Sequence, residues 1–163
     1  MRKAIATIVI LLAAATAAAA QTPQFMEVYD RALTRFDRNA ATDDESLRTS
    51  EFSGKMLRSI LPDKADDEGN LVNRIDVIRQ IKFSGPHNID LYDRLRRAAE
   101  EEPYERISIM TVDKETVYIY SAPYKKSGKE FLIFIAKGDA RLACDIVGDV
   151  TLNDVTDLLF GRN

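Results

Sequence analysis

The chain is poor in the residues from which many active sites are built. Its 163 residues include one cysteine, Cys144, one histidine, His87, seven glycines and no tryptophan. A single cysteine excludes an intrachain disulfide, and one cysteine with one histidine excludes a zinc site rich in these ligands. The glycines form neither a phosphate-binding loop nor a Gly-x-Ser-x-Gly elbow. These absences predict a protein that is not an enzyme and holds no metal or cofactor.

Cys144 and His87 are also placed poorly for a nucleophilic pair. Cys144 lies in the run Leu142-Ala143-Cys144-Asp145-Ile146, whose alternation is typical of a strand interior. His87 follows Gly85-Pro86 at the expected start of a helix. We therefore expect Cys144 to be a buried, inert thiol.

Carboxylates occur in two polar segments. One segment contains Asp43-Asp44, and the other, a loop after Pro62, contains Asp63, Asp66, Asp67 and Glu68. The loop lacks the ligand spacing of an EF-hand, so both segments are interpreted as solvated. A hydrolase with a carboxylate site stays open as a hypothesis. It would require two convergent buried carboxylates with raised pKa in one pocket.

Charge of one sign does not dominate the chain. Lys and Arg number 23 and Asp and Glu number 26, giving a formal net charge of −3. Nucleic-acid binders usually carry a basic patch or stripe that neutralises phosphates. The balance of charges here predicts no nucleic-acid partner.

Residues 1–20 have the pattern of an export signal. The positive start Met1-Arg2-Lys3 precedes an apolar run over 4–15, and Ala18-Ala19-Ala20 offers small residues before Gln21. The strongly apolar part spans only about ten residues, too few to cross a bilayer. No cysteine lies near the cleavage point, so we expect no lipid attachment. The predicted mature protein, residues 21–163, is periplasmic or secreted without a stable membrane anchor.

Apolar spacing predicts four helices in the mature chain. The first has Phe25, Tyr29, Leu33 and Phe36 on one stripe. The others are expected over 52–61, from Asn88 as a cap, and after a capping box formed by Thr151 and Asp154. Gly54 within the second helix indicates close packing, and Gly161 is expected to close the last helix.

Alternating apolar and polar residues predict the strands. A short extended piece at 46–50 and a strand at 75–83 precede four strands over 107–112, 116–122, 130–136 and 141–147. The connections among these four are too short for parallel crossovers, so they should form an antiparallel meander. The predicted fold is a single two-layer α+β domain with a largely antiparallel sheet and helices mainly on one face.

One group of aromatic and basic residues is a candidate interaction surface. Tyr118 and Tyr120 share a strand face, and Tyr124-Lys125-Lys126 follows in the adjoining hairpin. Such a cluster can contact a protein or an anionic ligand. The alternative is that the tyrosines cover the sheet and the lysines make a turn soluble.

Several short segments between residues 46 and 159 resemble one bacterial family. They are Ser53-Gly54-Lys55-Met56-Leu57 with Leu61-Pro62, Ile75-Asp76-Val77-Ile78, Tyr104-Glu105, Val117-Tyr118-Ile119-Tyr120, Ile146-Val147-Gly148-Asp149-Val150 and Thr151-Leu152-Asn153-Asp154-Val155. Together they are similar to domain-of-unknown-function family 4252. The resemblance implies a small exported envelope protein, and many members carry a lipid-attachment cysteine that this chain lacks. It implies no activity and no catalytic residues.

Three functions remain open on the sequence. The leading hypothesis is a non-catalytic exported protein that binds an envelope protein partner or supports envelope homeostasis. The second is a periplasmic module that senses a small ligand or signal through the sheet face around Tyr118, Tyr120 and Lys126. The third is the hydrolase with a carboxylate site.

Overall fold

A six-stranded antiparallel sheet organises the protein. The computed structural model describes residues 25–30, 47–62, 70–101, 103–112 and 114–161. The strands are β1 (Leu47–Ser53), β2 (Ile75–Phe83), β3 (Glu105–Val112), β4 (Glu115–Tyr124), β5 (Gly128–Lys137) and β6 (Ala140–Gly148). The helices are α1 (residues 25–30), α2 (Gly54–Ile60), α3 (Leu71–Arg74), α4 (Pro86–Ala98) and α5 (Leu152–Phe160).

The strand order across the sheet is β1-β2-β6-β5-β4-β3. Every neighbouring pair is antiparallel, and β3 to β6 follow one another as a meander. The predicted α+β class, the largely antiparallel sheet and the four-stranded meander are confirmed. The strand predicted over 75–83 is β2, which joins the meander by pairing with β6.

Helices cover both faces of the sheet, which differs from the two-layer arrangement expected. On the first face, α1 and α4 pack over a core that includes Phe83, Tyr120 and Phe134. On the second face, α2, α3 and α5 pack over a core that includes Ile119 and Ile133. The central strands are apolar on both sides, so each face needs its own cover. The result is three layers.

The helix boundaries partly match the sequence pattern. Phe52 belongs to β1, and α2 begins after Ser53, whose hydroxyl accepts from Met56 N at 3.2 Å. Asn88 lies inside α4 instead of capping it, because Pro86 starts the helix and Asn88 donates to the Ser84 carbonyl at 2.8 Å. The predicted capping box at α5 is confirmed, and Gly161 closes that helix with a φ of 63°.

Gly54 permits a close approach between α2 and β2. A Cβ at this position would lie 2.2 Å from the Ile75 carbonyl oxygen, far inside van der Waals contact. The close packing that the sequence indicated is therefore confirmed.

Several predicted features lie outside the described residues. They are the export signal at 1–20, Leu33 and Phe36 of the first helix, Asp43-Asp44 and the acidic loop at 63–69. Among the helices that the structure describes, none has the length and apolar character needed to span a membrane.

Candidate functional site

Strand β3 forms one edge of the sheet and carries exposed apolar side chains. Among the described strands, β3 pairs only with β4. Ile107, Ile109 and Val112 are 41%, 50% and 41% exposed. An edge strand also leaves one row of backbone N–H and C=O groups without a strand partner. Within the part of the chain that the structure describes, exposed apolar side chains and backbone groups without a strand partner therefore occur together along β3.

The regular part of β3 spans residues 108–112. A register shift between Arg106 and Ser108 interrupts the pairing with β4 at the beginning of the strand. Beyond it, Ile109 lies opposite Tyr118, while Met110 lies opposite Val117. Tyr118 packs on the first face and Met110 on the second, so consecutive β3 side chains extend both cores towards the edge.

The opposite edge, β1, has a different surface. Its Leu47 is buried, and Phe52 is half-buried. Glu51 on this strand accepts a hydrogen bond at 2.8 Å from Arg79 Nε of β2. The large exposed apolar residues of the described chain include three from β3 and none from β1. The two edges therefore offer a partner different chemistry.

The structure places Tyr118 and Tyr120 under α4. Tyr120 is completely buried, and its hydroxyl donates to Glu100 Oε1 at 3.2 Å. The Arg96 guanidinium lies 4.7 Å from the centre of the Tyr118 ring and donates to the Tyr120 hydroxyl at 3.4 Å. Burial raises the pKa of Tyr120. Because α4 covers this part of the sheet, the Tyr120 ring is not available as a contact surface.

Tyr124, Lys125 and Lys126 lie at the hairpin between β4 and β5. Lys125 has a φ of 50°, and its Nζ donates to Asp76 Oδ2 at 2.7 Å. This hydrogen bond raises the pKa of Lys125, whose ammonium also lies 4.8 Å from the centre of the Tyr124 ring. Lys126 is exposed. The structure therefore divides the five predicted surface residues: Tyr118 and Tyr120 lie under α4, while Tyr124, Lys125 and Lys126 lie at the hairpin, where the two lysines are exposed and Tyr124 is half-buried.

Two carboxylic side chains, Glu130 and Asp145, are completely buried on the first face of the sheet. Arg79 Nη1 donates to Asp145 Oδ2 at 3.1 Å. Burial raises the pKa of Asp145 to about 6 even though Arg79 acts to lower it. The hydrolase hypothesis required two convergent buried carboxylates in one pocket; Glu130 and Asp145 are both 0% exposed, so neither offers a surface that a substrate could contact in this structure.

Cys144 is buried, whereas His87 is exposed. Cys144 packs in the core of the second face, where burial raises the pKa of its thiol to about 12. His87 is exposed at the beginning of α4. The expectation of a buried thiol is confirmed, and a thiol with such a pKa stays protonated at neutral pH. Within the described residues, no group of three or more His, Cys, Asp or Glu is arranged to hold a metal ion.

Sequence reasoning missed the buried carboxyl pair and the apolar edge. A signal for the first existed, since Arg79 shares the apolar side of the strand at 75–83 and a buried cation needs an anion. No sequence pattern indicates that β3 lies at an edge of the sheet, because its position depends on β2 pairing with β6 and not with β3.

Comparison with known proteins returned no match: no family model, no curated protein and no solved structure matches the chain. The resemblance to domain-of-unknown-function family 4252 therefore stays a prediction.

Proposed function

We propose that this protein is an exported, non-catalytic binding protein that captures an extended segment of a protein partner along β3. The observation that supports the proposal is the exposure of Ile107, Ile109 and Val112 on an edge strand. Strand addition uses the free backbone groups of such an edge for affinity and side-chain contacts for specificity.

The composition of β3 favours this use of the edge. Natural sheets protect their edges with lysine, proline, inward charges or covering segments. Residues 108–112 are Ser-Ile-Met-Thr-Val, with no proline and no charge. The register shift between Arg106 and Ser108 limits regular pairing to this stretch. A partner strand would therefore have about five residues over which to pair regularly, close to the usual strand length.

The side chains of β3 specify the chemistry of the partner. Ile109 projects beside Tyr118 on the first face, and Met110 projects beside Val117 on the second. An added strand would extend both cores, so apolar side chains on its two faces would be matched. We expect a segment rich in β-branched or aromatic residues and free of charge over the paired stretch.

The predicted export signal places this binding in the envelope or outside the cell. The hairpin residues Tyr124, Lys125 and Lys126 lie beyond the pairing of Glu105 with Ser121, at the end where β3 begins. Tyr124 is half-buried and Lys125 is bound by Asp76, so the exposed Lys126 is the residue of the three that is available to contact chain that continues past the added strand.

Substitution of Ile109 by lysine tests the proposal. A charge on the regular part of the edge should oppose strand addition while leaving the fold intact, since the side chain is half exposed. Ile60→Lys is the matched control, because Ile60 is 55% exposed on α2, away from the edge. Each variant is purified and used to capture partners from an envelope extract, with bound proteins quantified by mass spectrometry.

We expect wild type and Ile60→Lys to retain the same partner. Ile109→Lys should retain at least about tenfold less of it, because a loss of about 1.4 kcal/mol in binding free energy lowers the affinity tenfold. Equal retention by all three proteins would overturn the proposal. Retention lost in both lysine variants would also contradict it, because the loss would then not depend on β3.

A further inference from the structure

Glu130 and Asp145 are diagonal neighbours inside the sheet. Asp145 of β6 lies opposite Leu132, and Glu130 of β5 lies opposite Val147. Both side chains are on the first face, and both residues are 0% exposed. The two carboxyl groups therefore share one buried site, because diagonal neighbours on a sheet face lie within reach of each other. Two ionised carboxylates in one buried site repel each other, which favours a proton on one of the two.

The positive charge near this pair is shared. Arg79 donates to Asp145 Oδ2 at 3.1 Å and to Glu51 Oε2 at 2.8 Å, so one guanidinium serves two acids. Among the described residues, no N–H group and no Ser, Thr or Tyr hydroxyl donates to Asp145 Oδ1. From α1, Tyr29 also faces the cluster, since its phenol interacts with Glu51 and Arg79. An ionised Asp145 would therefore carry an incompletely compensated charge in the core.

We propose that Glu130 and Asp145 share one proton in the folded protein, and that the loss of this proton as the pH rises from mildly acidic to mildly basic values loosens the sheet. The device is independent of the partner site at β3, because it lies inside the sheet and acts on folding stability. A protein exported from the cytoplasm meets the pH of its surroundings, so the proton would couple its stability to that pH.

The direction of the coupling follows from the titration of Asp145. Its pKa in the folded protein is raised to about 6 from 3.8. A group whose pKa rises on folding stabilises the fold fully below the lower value, and this contribution is lost as the pH passes the higher value. The protein should therefore be more stable near pH 5 than near pH 8.

The two ion pairs of Arg79 link the proton to the attachment of strand β1. While Asp145 holds the proton, Glu51 is the ionised acid that binds Arg79, at 2.8 Å, and this ion pair ties β1 to β2. With the pair ionised, Asp145 competes for the same guanidinium. The attachment of the edge strand β1 is thus expected to be firmer in acid.

Thermal unfolding between about pH 5 and about pH 8 tests the proposal. The wild-type melting temperature should fall by roughly 3–6 °C over this range, from the shift in Asp145 titration. Asp145→Asn should remove this dependence, because an amide imitates the protonated acid, donating to Glu130 and accepting from Arg79. At pH 8 this variant should melt at or above wild type. Asp157→Asn, an exposed change on α5 outside the cluster, is the control and should keep the dependence.

A second measurement covers the case in which Asp145→Asn does not fold. Carbon-13 NMR of the wild-type carboxyl groups should show one aspartate titrating near pH 6. A wild-type melting temperature that rises from pH 5 to pH 8, or a set of aspartates that all titrate below about pH 4.5, overturns the proposal. Either result would leave the test of partner binding at β3 unaffected, since that test uses a single pH.

Discussion

Asp154 has two groups of contacts at the beginning of α5. Its carboxylate accepts from Thr151 N at 2.8 Å within the capping box, and it binds Arg74 through two hydrogen bonds of 2.9 and 2.8 Å. The hydrogen bond from Arg74 is the main reason that the pKa of Asp154 falls to about 2. One side chain therefore caps the last helix and ties it to α3.

Replacement of Asp154 by alanine should lower the free energy of unfolding by about 1–2 kcal/mol, because the side-chain half of the capping box is lost and Arg74 loses its carboxylate partner. Urea denaturation at neutral pH measures the loss. The contribution of Asp154 to stability is fully present above pH 3.8 and should be lost as the pH falls through about 2. Asp157→Ala, an exposed change in the same helix, should alter stability by less than about 0.5 kcal/mol. Equal losses in both variants would contradict this role.

Single residues were predictable from the sequence where the signal is local. The capping box of Thr151 and Asp154, the close approach at Gly54 and the buried thiol of Cys144 all depend on near neighbours or on alternation within one strand. Asp145 and Tyr120 depend on the packing of distant elements. A carboxylate in an alternating strand gives no indication that an arginine 66 residues away will share its site.

At the scale of elements, α4 shows why the helices divide between two faces. Its buried residues include Tyr92 and Leu95, and the Tyr92 ring meets Phe83 and Phe134 edge to face, with centroids 5.6 and 5.7 Å apart. Tyr92 and its ring partners belong to the core of the first face. That face therefore depends on α4, while the second depends on α2, α3 and α5.

Replacement of Leu95 by alanine should cost about 2–5 kcal/mol, because the cavity opens under α4 in a core that has little room to relax. Leu158→Ala makes the same chemical change at an exposed position of α5 and should cost less than about 0.5 kcal/mol. Chemical denaturation measures the free energy of unfolding of both variants. A small loss for Leu95→Ala would mean that α4 is not required to cover the sheet.

Element types and the meander followed from the sequence because short connections and period-two alternation leave few alternatives. The number of layers is not predicted correctly from the sequence. Strand β4 carries apolar side chains on both faces, Val117 and Ile119 on one and Tyr118 and Tyr120 on the other. That pattern requires helices on both sides of the sheet, whereas the shared face of Tyr118 and Tyr120 predicts an aromatic contact surface. The pairing of β2 with β6, which makes β3 an edge, joins residues far apart in the chain.

For the whole molecule, two proposals act on different parts of the sheet. Strand addition uses the edge β3, while the shared proton lies between β5 and β6. The two can therefore be tested separately. The exposed residues of β3 distinguish this edge from β1, whose Glu51 is held by Arg79.

Site-specific photo-crosslinking in living cells tests the central claim most directly. A photoreactive residue is placed at Ile109 in one variant and at Ile60 in another, since both positions are exposed and apolar but only Ile109 lies on the edge. We predict a crosslinked adduct with one partner protein at position 109 and none at position 60, with the partner contacted through an extended segment. No adduct at position 109, the same adduct at both positions, or an adduct only with a second copy of this chain would contradict the account.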